Sequence, residues 1–291
     1  MLMWNYFKWR RDSGGELSVM DTTQTLEYIK RNQCSVCRYG DGEFDLIRGK
    51  KGIGFQDNNR ALSERLKNIL VEAGKVPEIL VCIPYVLTVR GREGLSDDSI
   101  LYWNNYISKF PYEIYAVLYG KKYGDSQITR PYIRFEKNEK NYENAKNIFS
   151  SLKEVWNYKR VLIVEGRKSR LGVGNDLFGN TKAVRRILCP EKNAWSRYDE
   201  ILSRVLSVSS EYDVILIALG PTATVLAYDL GKSGLWSIDI GHLDVEYEWF
   251  LDKAQKKEPI KNKYVNEVSS FVVEDEILDD EYCKQIIYEI K

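Results

Sequence analysis

Short apolar runs rich in β-branched residues constrain the fold of this 291-residue chain most strongly. Each run is too short for a helix and is bounded by turn residues, and the runs occupy residues 35–37, 79–83, 161–164, 214–218 and 236–240. Strands without polar alternation are typical of a parallel sheet that is covered on both faces. The sequence therefore predicts a parallel sheet at the centre of the molecule.

Segments with helical periodicity separate these runs. They cover residues 22–31, 59–73, 99–110, 140–156, 198–206, 222–230 and 245–254. Alternation of strands and helices over most of a chain favours a doubly wound α/β fold. We therefore predict a Rossmann-like, mostly parallel sheet with helices on both faces.

The chain shows no internal repeat, low-complexity tract or Pro/Ser-rich linker, so a second domain is not required. We predict a main domain at 21–255, an N-terminal extension at 1–20, and a C-terminal extension at 256–291 that packs on or beside the domain. Residues 50–56 are predicted to form a turn or small hairpin, and residues 121–141 an excursion or edge hairpin. Apolar positions of the C-terminal extension could cover the sheet, namely Phe271, Val272, Val273, Ile277 and Leu278.

Charge and cysteine content limit the classes of function. The 43 basic and 42 acidic residues give a net charge of +1, which removes the uniform attraction that non-specific nucleic-acid binding requires. The number of cysteines, five, is odd, and most lie in or beside apolar runs, which favours reduced, buried thiols over disulfides. These four are Cys34, Cys37, Cys82 and Cys189.

Membrane and export signals are also lacking in the sequence. No stretch approaches the roughly 18 consecutive apolar residues of a spanning helix. Residues 1–11 lack the apolar core of a signal peptide, although their aromatic and basic side chains could touch a membrane surface. We expect a cytoplasmic protein that binds no nucleic acid and associates with membranes at most peripherally.

Two carboxylates follow the first predicted strand on a glycine-rich turn. In the segment 38–44 (RYGDGEF), Asp41 and Glu43 are two positions apart. Mg²⁺ and Mn²⁺ prefer oxygen ligands and need few protein carboxylates when phosphates supply the rest. Asp41 and Glu43 could therefore hold a divalent metal, or they could cap the helix that follows.

Two further loops could receive a phosphate. The segment 165–178 carries glycines and the cations Arg167, Lys168 and Arg170, but it is neither a Walker loop nor a dinucleotide fingerprint, and it could equally be a solvated basic loop. Pro221 and Thr222 begin an apolar helix whose N–H groups could bind an anion. Ordinary helix capping explains those two residues equally well.

The single histidine, His242, follows the last predicted strand and precedes several acids. Helical spacing places Asp244 and Glu248 on one face and Glu246 elsewhere. His242 could be a metal ligand or a catalytic residue, and it could equally be structural. A structural zinc site is poorly supported because the Cys pair at 34 and 37 has no second pair, and a serine hydrolase is excluded because no GxSxG is present.

Four ordered motifs together resemble the GT-D-fold glycosyltransferases, which act in bacterial surface-glycan and adhesin glycosylation. The motifs lie at 38–44, 169–178, 189–195 and 241–249. The resemblance covers roughly residues 20–255, with Tyr39 in place of the Phe expected there. It implies a Rossmann-like fold, a UDP-sugar donor, and Mn²⁺ or Mg²⁺ held by an Asp-x-Glu motif.

The resemblance also implies roles for individual residues. Asp41 and Glu43 match the metal motif, and His242 matches a histidine near the donor. Glu248 is the preferred general base, with Glu246 and Asp244 as alternatives. The motif residues expected to bind the donor are Arg38, Gly40, Arg170, Gly172, Asn175 and Asp176. The helix start described above adds Pro221 and Thr222 as candidate donor-binding residues.

The implied reaction moves a hexose, with glucose preferred, from a UDP-sugar to a hydroxyl of a glycan on a surface glycoprotein or polysaccharide precursor, with inversion. Expected partners are the donor, the glycan or glycoprotein acceptor, and other glycosyltransferases of the same pathway. Tyr102, Trp103 and Tyr106 are candidate acceptor contacts. Two other classes stay open: a metal-dependent nucleotidyl transferase or pyrophosphatase, and a non-catalytic nucleotide-sugar-binding subunit.

Overall fold

The computed structural model describes residues 16–265, 267–268 and 279–291, and within them a nine-stranded sheet and a separate two-stranded hairpin. In chain order the strands are β1 (Ser18–Val19), β2 (Ser35–Arg38), β3 (Gly52–Ile53), β4 (Gln56–Asp57), β5 (Ile79–Ile83), β6 (Lys122–Asp125), β7 (Arg160–Gly166), β8 (Ala183–Cys189), β9 (Val214–Ala218), β10 (Ser237–Asp239) and β11 (Ile286–Glu289).

Every pairing in the nine-stranded sheet is parallel, in the order β1-β6-β5-β2-β10-β9-β7-β8-β11. Strands β2, β5 and β6, which come first in the chain, form one half of the sheet. Strands β7 to β10, which come later, form the other half. The two halves therefore meet where β2 pairs with β10. In open α/β sheets, ligands bind at the carboxyl ends of the strands at such a switch point.

Helices cover both faces of the sheet. Val36 and Leu80 pack in one hydrophobic cluster and their neighbours Cys37 and Val81 in the other, because successive side chains of a strand point to opposite faces. The described α-helices are α1 (Thr22–Asn32), α2 (Asp41–Ile47), α3 (Arg60–Glu72), α4 (Asp97–Ser108), α5 (Tyr112–Leu118), α6 (Glu139–Val155), α7 (Tyr198–Val208), α8 (Pro221–Lys232), α9 (Leu243–Leu251) and α10 (Asp280–Gln285).

The helices bury the faces that their apolar spacing defines. Helix α6 buries Ala145, Ile148, Phe149 and Leu152, which repeat at intervals of three and four residues. Helices α1, α6 and α9 contribute to one cluster, whereas α3, α4, α5, α7 and α8 contribute to the other. The predicted Rossmann-like fold, with a mostly parallel sheet between two helical layers, is confirmed.

Strand β6 corrects the prediction of an excursion or edge hairpin at 121–141. It lies between β1 and β5 inside the sheet, although its sequence has no apolar run. Gly124 explains this sequence, because a Cβ there would lie 2.6 Å from the Cys82 sulfur. Strand β8 also lacks an uninterrupted apolar run because it carries Arg186, whose guanidinium pairs with the buried Glu165 at 2.5 Å.

Several smaller predictions can be compared with the structure. Residues 52–57 form the hairpin β3–β4, as predicted, and the four cysteines in or beside apolar runs are buried thiols. β1 and β11 are the edge strands of the sheet, so both predicted extensions contribute to it. None of the described helices combines the length and apolar character needed to cross a membrane. The N-terminal residues 1–11 and the apolar positions at 271–278 lie outside the described residues.

Candidate active site

A cavity of about 740 Å³ opens at the carboxyl ends of β2, β5, β6 and β10, where the two halves of the sheet meet. Asp41 and Glu43 line it from the loop and helix after β2, and His242 lines it from the loop after β10. The structure therefore brings the first and last sequence motifs to one cavity. Gly40, the hairpin tip, the start of α4 and the segment 130–137 complete the wall.

Glu43 both caps a helix and faces this cavity. Its Oε2 accepts a hydrogen bond from the Gly40 N–H at 2.6 Å, because Glu43 is the third residue of α2 and Gly40 its N-cap. Burial raises the pKa of Glu43 to about 7, and the charges of Asp239 and Asp41 act in the same direction while the Gly40 N–H opposes them. A carboxylate in this environment would be stabilised by a nearby cation.

Asp41 is held by two tyrosines of α4. The Tyr102 hydroxyl donates to the Asp41 carboxylate, and the Tyr106 hydroxyl donates to its backbone carbonyl at 3.1 Å. The two rings stack with centroids 6.3 Å apart. Burial, followed by nearby carboxylate charge, raises the pKa of both phenols, so both remain donors at neutral pH. Helix α4 is thereby fixed against the metal-motif loop.

The acidic motif supplies ligand atoms of the type that Mg²⁺ and Mn²⁺ prefer. Asp41 and Glu43 present carboxylates to the cavity. Burial raises the pKa of Glu43, and the negative charge of Asp41 adds to this effect. Over the described ranges, no three His, Cys, Asp or Glu side chains converge into a complete metal-binding group. The two carboxylates therefore fit a metal that takes its remaining ligands from substrate oxygens and water.

Arg38 lines the cavity, but it also ties three strands together. Its Nη1 donates to the Ser126 carbonyl at 3.0 Å and to the Thr129 hydroxyl, and its Nε lies 3.6 Å from Asp239 Oδ1. A Cβ at Gly241, where φ is +45°, would lie 2.2 Å from Arg38 Nη2. Only glycine leaves room for the guanidinium there.

Two arginines that follow β6 belong to none of the sequence motifs. Arg130 and Arg134 both line the large cavity. Arg130 pairs with Glu267 at 2.5 Å and lies 3.9 Å from Glu246. The Arg134 guanidinium lies 5.5 Å from the centre of the Trp103 ring, and burial together with the charge of Arg130 lowers its pKa. The only sequence signal was the density of basic residues in a segment without helical period.

The three acids considered as general bases do not line the large cavity. Glu246 is fully buried, and its Oε2 accepts the backbone N–H groups of Tyr132 and Ile133 at 3.2 and 3.0 Å. Asp244 and Glu248 both accept the ammonium of the buried Lys263, at 2.7 and 2.6 Å. This placement does not bring Glu248, Glu246 or Asp244 to the wall that carries Asp41 and Glu43. Asp244 lines a smaller cavity beside it.

The glycine-rich motif lines a smaller cavity beside the large one with Ser169 and Leu171, and other residues of the motif contact α9 and the segment after it. Gly172 N–H and the Asn175 amide both donate to Asp244 Oδ1 at 2.8 Å, and Arg170 donates to the Asn262 carbonyl at 2.9 Å. Asp176 accepts the Tyr247 hydroxyl and the Lys153 ammonium, each at 2.7 Å.

The predicted donor-binding residues of these loops therefore lie away from the cavity surfaces. Neither the large cavity nor its smaller neighbour is lined by Arg170, Gly172, Asn175, Asp176, Pro221 or Thr222. Pro221 and Thr222 are buried at the start of α8, directly after Gly220, which does line the large cavity. The backbone before that helix contacts the cavity, whereas these side chains pack behind it.

A smaller cavity of about 80 Å³ adjoins the large one, and Phe55, Gly241 and His242 line both. Phe55 lies at the tip of the hairpin and packs on Gly220, where a Cβ would lie 2.1 Å from its ring. Asn193 of the third motif holds the hairpin, because its N–H donates to the Phe55 carbonyl at 2.9 Å. The third motif thus positions the aromatic ring between the two cavities.

Comparisons with known proteins agree with this architecture. The family model described as "Glycosyltransferase GT-D fold" matches residues 36–268. The chain is 37% identical over 273 residues to the "Probable glycosyl transferase Gly" of Streptococcus gordonii and 35% identical over 276 residues to the "Glycosyltransferase GlyD" of Streptococcus pneumoniae serotype 4. Each match covers 94% of this chain, but the chain spans only 39% and 33% of the lengths of these relatives.

Solved structures show the same similarity. A domain of unknown function 1792, described as having a distinct glycosyltransferase fold, superposes with a TM-score of 0.89 at 37% identity, covering 99% of this chain and 100% of that one. A structure described as a new glycosyltransferase from Streptococcus sanguinis superposes with a TM-score of 0.86 at 36% identity, covering 95% and 100%.

Proposed function

Since the chain belongs to the GT-D-fold glycosyltransferase family, we propose that it transfers a hexose from a UDP-sugar to a hydroxyl of a glycan. The proposal rests on the wall of the large cavity, where the Asp41–Glu43 motif lies together with the cationic segment 130–134. A sugar diphosphate needs both, because a divalent metal and basic side chains together neutralise its charge.

Asp41 and Glu43 would hold Mn²⁺ or Mg²⁺ on the cavity wall, with His242 close to the same site. When bound, the metal supplies Lewis-acid stabilisation of the departing diphosphate. The Tyr102 hydroxyl holds the Asp41 carboxylate and the Tyr106 hydroxyl holds the Asp41 backbone before substrate arrives. The Gly40 N–H does the same for Glu43.

The acceptor side of the site is proposed to lie along α4. Tyr102 is 47% exposed, so part of its ring is available for a sugar. Asp98 lies one turn earlier on the same helix and lines the cavity, and no described residue forms a hydrogen bond or an ion pair with its carboxylate. We assign the general-base role to Asp98, which would take the proton of the acceptor hydroxyl while the oxygen attacks the anomeric carbon with inversion.

The physiological acceptor is proposed to be a glycan on a surface glycoprotein or a polysaccharide precursor, with glucose as the preferred hexose. The curated relatives are more than twice as long as this chain, which leaves room in them for further catalytic units of one pathway. Buried free thiols are typical of proteins in a reducing compartment. We therefore propose a cytoplasmic location.

A donor screen with UDP-glucose and other UDP-hexoses tests this function. When the purified protein is incubated with the donor, acceptor glycans and Mn²⁺, UDP should be released and the acceptor should gain the mass of one hexose. A chelator should stop both. Release of UMP or phosphate would indicate a nucleotidyl transferase or a pyrophosphatase. Donor binding without any turnover, unchanged by Asp41→Asn, would indicate a non-catalytic binding subunit.

A further inference from the structure

The segment after β6 presents an arginine to the cavity without a carboxylate partner. Arg134 forms no ion pair with any described carboxylate, whereas its neighbour Arg130 pairs with Glu267 and lies near Glu246. The charge of Arg130 thus acts unfavourably on Arg134, and the carboxylates that act in the opposite direction do not form an ion pair with it. This arrangement is costly unless an anion is bound beside Arg134 during function.

The position of Arg134 is fixed by its surroundings. Its guanidinium lies over the ring of Trp103, which is only 1% exposed. Its carbonyl accepts the Ser96 N–H at 3.0 Å, so its backbone is joined to the start of α4. No described residue accepts a hydrogen bond from the guanidinium, whose planar N–H groups have the geometry that matches phosphate oxygens.

Glu246 of α9 also holds the segment that carries Arg134. Its carboxylate accepts the N–H groups of Tyr132 and Ile133, immediately before Arg134. Arg130 lies within 3.9 Å of that carboxylate. The buried acid of α9 thus determines where the chain carrying Arg134 lies.

Two other arginines suggested by the sequence are engaged elsewhere. Arg170 is 2% exposed and donates to a backbone carbonyl away from the cavity. Arg38 reaches the cavity, but Nη1 has two protein acceptors. Burial and the charge of Arg130 lower the pKa of Arg134, whereas the charge of Asp41 acts to raise it.

We propose that Arg134 binds the diphosphate of the donor in the cavity that Asp41 and Glu43 also line, and stabilises the UDP leaving group. The inference rests on the proposed UDP-sugar chemistry and adds a catalytic residue to it. In the reaction, the bond between the anomeric carbon and the β-phosphate oxygen breaks and its electron pair goes to that oxygen. Arg134 donates hydrogen bonds to the diphosphate as this charge develops.

Binding of UDP and of uncharged uridine to the same variants tests this role. Arg134→Gln should weaken UDP binding in the presence of Mn²⁺ by roughly tenfold to hundredfold, the range for a lost charge-assisted contact, and should leave uridine binding unchanged. Arg134→Lys should fall between wild type and Arg134→Gln because lysine keeps the charge but loses the planar pair of donors. The matched control is Arg60→Gln, which removes the same charge from a side chain that is 92% exposed and does not line the cavity.

The result that would overturn the inference is UDP binding by folded Arg134→Gln that equals that of wild type. If Arg134→Gln does not fold, Arg134→Lys decides, and wild-type UDP affinity in that variant would overturn the bidentate contact. An equal loss of UDP and uridine binding would also overturn it, because a distorted site would weaken both. A wild-type chain that binds no UDP at all would instead contradict the proposed function.

Discussion

The carboxylate of Glu246 accepts the backbone N–H of Ile133 at 3.0 Å and so joins the last sequence motif to the arginine-bearing segment 130–134. The two residues are 113 positions apart in the chain. Because Glu246 is fully buried, its charge is balanced by these N–H groups and by Arg130. An acid that the sequence suggests as a base is thus bonded, in the structure, to the backbone of this segment.

Glu246→Ala should therefore destabilise the protein and weaken donor binding. It leaves two buried N–H groups unpaired and Arg130 with one partner fewer, for which we expect a loss of about 1–3 kcal/mol of unfolding free energy. Urea unfolding measures this, and donor titration should show a higher KM. If Glu246 were the base, kcat would fall roughly 10²- to 10⁴-fold at unchanged stability.

Asp98 is predicted to be the residue that activates the acceptor. Asp98→Asn should lower kcat of transfer roughly 10²- to 10⁴-fold and leave UDP binding intact. Asp97→Asn is the matched control, because both acids lie in the first turn of α4, near the positive end of its dipole, while only Asp98 lines the cavity. Equal effects of the two substitutions on transfer would show that Asp98 acts only through the helix.

The ammonium of Lys263 is predicted to hold the wall of the small cavity. It lies between Asp244 and Glu248, and Tyr264 beside it lines that cavity. Lys263→Met leaves two carboxylates without their cation, so we expect a loss of about 3–5 kcal/mol in unfolding free energy. Lys261→Met, at an exposed position, should change it by less than about 0.5 kcal/mol. Thermal unfolding of the two variants side by side gives the comparison.

Much of the fold follows from simple sequence patterns. Runs such as Val214–Ala218 were predicted because strands buried on both faces need uninterrupted apolar residues. An apolar pattern does not reveal strand β6, because Gly124 packs closely against Cys82 without an apolar side chain of its own. Strand β8 was obscured by Arg186, whose burial depends on Glu165 in a neighbouring strand.

The site was predictable to a similar degree. Asp41 and His242 could be placed at one edge because the carboxyl ends of parallel strands meet there. The role of Glu246 could not be read from the sequence, since its partners are backbone groups of a distant loop. Arg134 was missed for the same reason, because its contact with Trp103 forms only after α4 packs beside segment 130–134.

Substitution of Asp41 and of Glu43 tests whether a metal held by these two carboxylates supports sugar transfer. The measurement is hexose transfer from a UDP-sugar to an acceptor glycan, followed by acceptor mass and UDP release, for wild type, Asp41→Asn, Glu43→Gln and the control Glu64→Gln. Glu64 is an exposed acid of α3 that does not line the cavity, so its removal should leave transfer unchanged.

With Mn²⁺ present, wild type and Glu64→Gln should transfer one hexose per UDP released. Asp41→Asn and Glu43→Gln should each lose transfer by a factor on the order of 10² or more, because the leaving diphosphate is no longer neutralised. Transfer at the wild-type rate in both variants, or in the presence of a chelator, would show that no metal bound by Asp41 and Glu43 is needed and would refute the proposed reaction.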